Sequence, residues 1–371
     1  MKKLFILHTL PLELYPPVMN LLNVLDEDID FRSLVFSSYN ALEKPNFKLK
    51  NIPIHRTVYP ANASNFILKL WYLFISITVP VFRMLVFKPD VLMYFEPHSA
   101  FSVYIYKKFF NRKVRVFIHY HEYYAKEEFK ASGMASVNFY HQREIDFLYE
   151  NAEWISQTNS DRLNFFSKNY PDIAKDKLHV LANYPPASWY TEPLKPVKDD
   201  VIKLFYIGAI SFGSTYIREI VAFVSERPLR IQLDIYSYNI HSDAKSFLEA
   251  LDFPNIKFFD KGIPYDEIPK IASQYHIGLV LYKPHNTNYL YNAPNKLFEY
   301  LVCGLDVMLP ETLLGCQPFL DSDTKPNVVA VNFKNLSDGV LECFDLKQQK
   351  QREVLFNCET ELKPLIHQFK H

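Results

Sequence analysis

Two sets of short apolar runs, separated by a proline-rich passage, constrain this chain more than any other feature. In the first half KLFILH, FRSLVFS, DVLMYF (90–95), VRVFIHY (114–120) and EWISQT (153–158) alternate with helical patterns. Near-continuous apolar strands interleaved with helices predict a mostly parallel sheet covered on both faces. After residue 200 the same grammar restarts with KLFYIGAI, RIQLDIYS, NIKFFDKG, HIGLVLY and DVMLP. Between the halves lies HVLANYPPASWYTEPLKPVKDD, which carries Pro185, Pro186, Pro193 and Pro196, follows Pro171, and has little periodicity. It reads as an interdomain linker. The expected fold is therefore α/β, with two doubly wound Rossmann-like domains facing a central cleft, since open sheets of this kind bind ligands at the carboxyl ends of their strands. The expected boundaries are 1–185 and 186–355, with 356–371 as a C-terminal helix able to return to the first domain.

Composition narrows the function. With 371 residues, 49% of them hydrophobic, the chain can bury two medium cores. Lys plus Arg and Asp plus Glu both number 41, so no global field gathers a nucleic acid, and any anion site must be local. Only 8 glycines stand against 31 Phe and 25 Tyr, and neither a Walker loop nor GxGxxG occurs. Loops are built from Asn, Asp, Ser and Pro instead. The four cysteines, Cys303, Cys316, Cys343 and Cys358, show no CxxC and no metal-type pairing with His, which fits a reducing, cytoplasmic compartment. The N-terminal MKKLFILHTLPLELYPP imitates a signal peptide until Pro11, Glu13 and Pro16 interrupt it, and reads better as a buried strand from Leu4 to His8.

The segment 65–90, NFILKLWYLFISITVPVFRMLVFKPD, has 13 uncharged residues between Lys69 and Arg83, short of the roughly 20 that span a bilayer. Two readings stay open: a thoroughly buried helix or helix pair broken near Pro80, or a helix whose Trp71, Tyr72, Lys69, Arg83 and Lys88 rest on a membrane interface. The second would make the chain peripheral on the inner face of a membrane.

The run NAPNKLFEYLVCGLDVML (292–309) places a polar loop before an amphipathic helix, expected from about Asn295 to Val302. Leu297, Tyr300, Leu301 and Gly304 form its packing stripe at i, i+3, i+4 and i+7. Asn295 is a natural N-cap, and the first-turn N–H groups carry the positive end of the helix dipole, where an anion or sugar oxygen can dock. Lys296 and Glu299 are either an ordinary i,i+3 surface pair or two groups aimed at one ligand, and spacing does not choose between them.

The whole stretch FFDKGIPYDEIPKIASQYHIGLVLY…YNAPNKLFEYLVCGLDVML (258–309) resembles the donor-binding region of GT-B glycosyltransferases, most closely family 4. KLFYIGAI and HVLANYP echo the family's first C-domain strand and its interdomain passage. The resemblance implies an N-terminal acceptor domain and a C-terminal donor domain. It implies transfer of a sugar from a nucleotide-sugar donor to a glycan or lipid-linked acceptor, retaining and metal-independent, in polysaccharide or glycolipid synthesis. The nucleotide sugar is a co-substrate, so no cofactor is expected. By the same resemblance Glu299 takes the role of the family glutamate that accepts from the donor ribose. Lys296 lies near the diphosphate or sugar, and Gly208 lets the first C-domain loop approach the phosphates. Gly262, Ile263 and Pro264 form the turn whose backbone meets the base. Two departures stand out. Tyr291 occupies the place of the family's first glutamate, which leaves sugar-side contacts to Asn292 or the backbone from Ala293 to Lys296. The usual basic residue after Gly208 is missing, and Arg218 is the nearest candidate. Asp306 replaces a usual proline, with an expected effect only on the start of the next strand.

On the acceptor side, VRVFIHYHEYYAKEEF sets His119, His121 and Glu122 where a strand should end. His121 or Glu122 could position or deprotonate the acceptor. His119, His121 and Glu122 lack a fourth ligand at a familiar spacing, so no metal site is expected. Glu96 and His98 form a second, weaker pair. Two other classes stay open: a catalytically lapsed scaffold, favoured by Tyr291, and a nucleotide-sugar 2-epimerase on the same architecture.

Overall fold

The computed structural model describes residues 1–40, 45–59, 66–190, 201–320, 326–344 and 356–371. Pro193, Pro196, Asn65 and the stretch 345–355 that meets the expected second boundary lie outside the described residues. The chain divides into two compact units: Met1–Ala182 with Cys358–His371, and Asn183–Asn357.

The first unit carries β1 (Lys2–Pro11), β2 (Phe31–Asn40), β3 (Ile54–Tyr59), β4 (Val91–Phe95), β5 (Arg115–Tyr120), β6 (Ala152–Gln157) and β7 (Leu178–Val180). They form one seven-stranded sheet in the order β3-β2-β1-β4-β5-β6-β7, and every pairing is parallel. β4 is buried along its whole length, as a run without polar alternation requires when helices cover both faces. The C-terminal helix Lys363–Lys370 closes this unit: Phe369 is fully buried, the Arg115 guanidinium donates to the Phe369 and Gln368 carbonyls, and Lys370 pairs with Asp28 and Asp30.

The second unit carries β8 (Ile202–Ile207), β9 (Ile231–Tyr236), β10 (Ile256–Phe259), β11 (Ile277–Leu279), β12 (Asp306–Pro310) and β13 (Val328–Val331), in the order β10-β9-β8-β11-β12-β13, again all parallel. Both sheets reverse direction beside their first strand, between β1 and β4 and between β8 and β11. These are the switch points at which doubly wound sheets bind ligands.

Three strands escape the reading from sequence. β3 reads IHRTVY and β7 is three residues long at a sheet edge, so neither shows an apolar run. β13 (VVAV) is only four residues long. Asp306 does more than start a strand: its buried carboxylate accepts from the Asn327 N–H at 2.7 Å, fixing the approach to β13.

The long apolar segment is one continuous helix, Phe66–Phe87, with Pro80 inside it. Proline leaves the carbonyl four residues earlier without its donor. The Ser102 hydroxyl supplies one from outside, 3.5 Å from the Ser76 carbonyl and 3.2 Å from that of Ile77. The expectation of a thoroughly buried helix fails: Val81 and Met84 are buried, but most of the remainder is not.

Candidate functional site

The helix Asn295–Cys303 follows β11 across a polar loop. Its N-cap is Pro294, not Asn295: φ −72° and ψ 151° set the entry, and proline has no side chain with which to cap the first turn. Asn295 is then the first helical residue, and the positive end of the dipole is left without a side-chain cap. Gly304 is buried like the rest of the expected stripe but lies one residue past the helix. It takes the left-handed C-cap conformation at φ 80°, with its N–H and that of Leu305 closing on the Leu301 and Tyr300 carbonyls.

Glu299 is not a solvated surface residue. It is 1% exposed, and its Oε2 accepts from Lys296 Nζ at 2.5 Å. Its Oε1 is buried with no partner among the described residues. A surface pair would sit in water and be worth a few tenths of a kcal/mol. A desolvated carboxylate with one oxygen unsatisfied costs stability and marks a place where a donor group is missing. The helix is locked to the sheet by its next residue: the fully buried Tyr300 hydroxyl accepts the Ile207 N–H at 3.2 Å, immediately before Gly208. The chain thus brings Glu299 and Gly208 to one switch point.

Around Gly208 the loop after β8 is zipped to the chain after β11. Tyr216 N–H donates to the Leu281 carbonyl, Lys283 N–H donates to the Ser214 carbonyl, and Thr215 bridges Tyr282. A Cβ on Gly208 would lie 3.1 Å from the Tyr206 hydroxyl. Arg218 stacks 3.6 Å from the Phe212 ring centroid, exposed, with no acidic partner among the described residues. Lys283 is a cation that sequence reasoning missed: it donates to the Phe212 carbonyl at 3.0 Å and pairs with Glu219 at 3.2 Å. Only the topology, which places β11 beside β8, brings it to this loop. After β10, Gly262 turns at φ 63°, where an added Cβ would lie 2.7 Å from the Tyr238 ring, and Ile263 buries its side chain so that only its backbone can meet a ligand.

Tyr291 caps the short helix Thr287–Leu290, and Gly315 presses on its backbone: a Cβ there would lie 2.4 Å from the Tyr291 carbonyl oxygen. Cys316 Sγ donates to the Asn292 carbonyl at 3.4 Å. The loop bearing Asn292 is therefore positioned by a neighbouring turn whose role sequence spacing does not show.

In the first unit the chemistry gathers at the ends of β1, β4 and β5. Glu96 opens the helix Glu96–Ile105 in a left-handed conformation, φ 60°, rare for a residue with a side chain. Its Oε1 accepts from the His121 N–H at 2.6 Å and the Glu122 N–H at 3.2 Å, while Oε2 is buried without a partner among the described residues. Burial, reinforced by the Glu122 charge, pushes its pKa up to about 8. The buried Arg162 guanidinium takes the other side of the same turn, donating to the His121 carbonyl at 2.7 Å. His121 stacks on Phe95 with centroids 5.4 Å apart, and His119 lies edge-on to it at 4.6 Å. Glu122 keeps its carboxylate half exposed. The structure thus holds His121 and Glu122 in one rigid turn and makes Glu96, the weaker candidate by sequence, the clamp beneath them. His119 is turned away, its Nδ1 bonded to Ser156 Oγ at 2.8 Å. No cluster of three potential metal ligands occurs among the described residues.

His8 and His119 are fully buried, which lowers their pKa values to about 4 and about 3. Below pH 6.5 the unfolded chain binds two protons that the native one excludes, so this stability is lost as pH falls towards those values. Glu96 works oppositely: its proton is held natively and released on unfolding above pH 4.5, so its contribution is present below 4.5 and lost as pH rises to about 8. Between pH 6 and 5 the net is one proton, about 1.4 kcal/mol per pH unit. Urea titrations at pH 6 and 5 should show that slope from these groups, and His119→Gln should flatten it by about the same amount.

No protein-family model and no curated protein matches the chain. Solved structures do resemble it. A sucrose-phosphate synthase from Thermosynechococcus elongatus superposes with TM-score 0.68 at 12% identity, covering 100% of this chain and 98% of that one. The Anabaena protein HepE in complex with UDP and glucose gives TM-score 0.67 at 12% identity, covering 99% of each. A UDP-GlcNAc 2-epimerase from Neisseria meningitidis bound to UDP-GlcNAc gives TM-score 0.57 at 13% identity, covering 99% of each.

Proposed function

We propose that this chain, whose two doubly wound units make the GT-B fold, is a glycosyltransferase that moves a sugar from a nucleoside-diphosphate sugar to an acceptor hydroxyl. One observation carries the reading: Glu299, buried beside an N-terminus that no side chain caps, with Oε1 unsatisfied. A ribose hydroxyl is the donor such an oxygen lacks, and a diphosphate is the anion such a helix start accepts. That the Anabaena protein HepE in complex with UDP-glucose is similar in fold supports it.

In the proposed reaction the bond from C1 to the diphosphate oxygen breaks, its electron pair stays on the phosphate, and the acceptor oxygen bonds to C1 while losing its proton. Charge builds on the departing phosphate, and preorganised donors stabilise it without reorganisation. The first-turn N–H groups, Lys296 Nζ, Arg218 and Lys283 are those donors. Gly208 and the Gly262–Ile263 backbone form the walls, and Asn292 and Asn295 face the sugar side. With cations to receive the leaving group, we take the transfer to be metal-independent. Its retaining course rests on the family resemblance, with the departing phosphate taking the acceptor's proton and His121 and Glu122 holding the acceptor.

The test is a thermal-shift panel of UDP-, GDP-, ADP- and TDP-sugars, followed by product analysis with the nucleotide sugar that binds. Slow hydrolysis of that donor without acceptor supports a transferase. Release of a 2-epimer supports the epimerase reading, which the epimerase likeness keeps in play. Binding with no turnover points to a lapsed scaffold, the reading that Tyr291 favours. If no nucleotide sugar shifts the melting temperature at millimolar concentration, the donor site is not there.

A further inference from the structure

The helix Phe66–Phe87 shows a feature that neither sugar transfer nor folding explains. Trp71 is 56% exposed and Phe74 57%, stacked on each other with centroids 6.0 Å apart, and Ile67, Phe82 and Val86 are more exposed still. The turn Tyr106–Phe110, which packs against this helix, adds Phe109 and Phe110, both more than half exposed. Scattered apolar side chains on a surface are ordinary, but a contiguous aromatic face is a docking surface.

We propose that this face lies on an anionic lipid bilayer. Charge points to the partner. The helix and its flank, 66–89, contain Lys69, Arg83 and Lys88 and no acid, and 97–121 contains five Lys or Arg and no acid, in a chain whose charges balance overall at 41 each. Lys69, Lys88, Arg112 and Lys113 are exposed. An apolar face whose own segments carry cations and no acid matches acyl chains beneath anionic headgroups. A second copy of the same face would instead oppose cation to cation.

The helix rests on the membrane and does not cross it. With 22 residues it is about 33 Å long, enough to span. However, Val81 and Met84 are buried, and Leu73, Ile77, Leu85 and Phe87 pack on the core beneath β1 and β4. Ser102 also hydrogen-bonds its backbone from the protein side. One side of the helix belongs to the domain, and only the other is offered to lipid.

Docking on lipid is independent of catalysis, and flotation reads binding alone. The full chain is floated with vesicles of phosphatidylcholine containing 30% phosphatidylglycerol, and with phosphatidylcholine alone, at low and at high salt. Co-flotation with the anionic vesicles, weakened by salt, and a loss of at least tenfold in Trp71→Glu/Phe74→Glu, are expected. Both side chains are exposed, so that variant should melt with the wild type, and a circular-dichroism melt confirms that the loss is not unfolding. No flotation of the folded wild type overturns the proposal. So does a wild-type dimer by light scattering that the double variant dissolves while vesicles are ignored.

Discussion

On the proposed donor reading, Glu299→Ala is expected to abolish the protection that a nucleotide sugar would give this protein. At a ligand concentration of 100 times Kd, a donor that binds only the folded state stabilises by about 2.7 kcal/mol. Hydrogen bonds to a charged group are worth about 1.5–3 kcal/mol each. Losing the carboxylate should therefore weaken binding by about 100-fold, and the same ligand concentration would leave only about 0.4 kcal/mol of protection. Read as melting temperature, a shift of roughly 5–10 °C falls to about 1 °C. Glu299→Gln separates charge from shape. The amide keeps an acceptor near Lys296 but loses the charge assistance, so about a 30-fold loss is expected. The apo variant with Gln should be no less stable than the wild type, because it removes a buried charge that the free protein leaves half satisfied. Full nucleotide protection in Glu299→Ala would show that the carboxylate is structural.

How much of this was legible in the sequence depends on which force acts. The apolar strands were, because a strand buried on both faces must be written as an apolar run, and KLFILH, DVLMYF, KLFYIGAI and DVMLP all became strands of the two sheets. The two edges of the first sheet were not, because β3 and β7 are half covered at most and their polar residues hide the pattern. The amphipathic helix at 295–303 was also legible, but its cap was misread. Asparagine is the better capping residue by propensity, whereas Pro294 fixes φ and so decides where the helix begins.

Site residues divide along the same line. Lys296 and Glu299 are one helical turn apart, so sequence could pair them, but only burial says that Glu299 keeps an oxygen unsatisfied. Lys283, Gly315 and Cys316 act through contacts made across the fold, and nothing in their neighbours along the chain announces those contacts. Glu96 is the sharpest case. In sequence it is one acid after a strand. In the fold it holds a strained backbone, two N–H groups of the turn that carries His121 and Glu122, and a proton at neutral pH. Strain of this kind persists only where the surroundings over-determine it, which is the reason to place the working turn there.

Gly278→Ala is expected to be among the most damaging single substitutions in the second unit. Gly278 lies in β11, paired with Phe205 of β8 and Val307 of β12, under the helix that carries Glu299. A methyl group added there would lie 2.3 Å from Cγ and 2.4 Å from Cδ2 of the Tyr300 ring, inside the ring's own contact distance. Tyr300 has no room to yield: it is 0% exposed, and its hydroxyl holds the Ile207 N–H. Either the ring leaves its place and abandons that N–H, or the helix lifts and takes Glu299 with it. Overpacking costs about 1–3 kcal/mol and an orphaned buried N–H about 1–3 more, so a loss of about 3–5 kcal/mol is expected. Chemical denaturation measures it, with Gly213→Ala as the control, since nothing lies within 4 Å of a Cβ at that glycine. The clash has one partner, so truncating that partner should relieve it. Tyr300→Ala alone should cost about 3–5 kcal/mol for the lost ring, but in the Gly278→Ala background it should cost at least 1–2 kcal/mol less. Additive losses would mean that the methyl strains the strand itself and that the ring is not what excludes it. The donor reading adds a second readout: Gly278→Ala, at a temperature where it is still folded, should bind a nucleotide sugar more weakly than Gly213→Ala does, because the carboxylate, the helix start and the glycine loop are all set by how closely that ring lies on the strand.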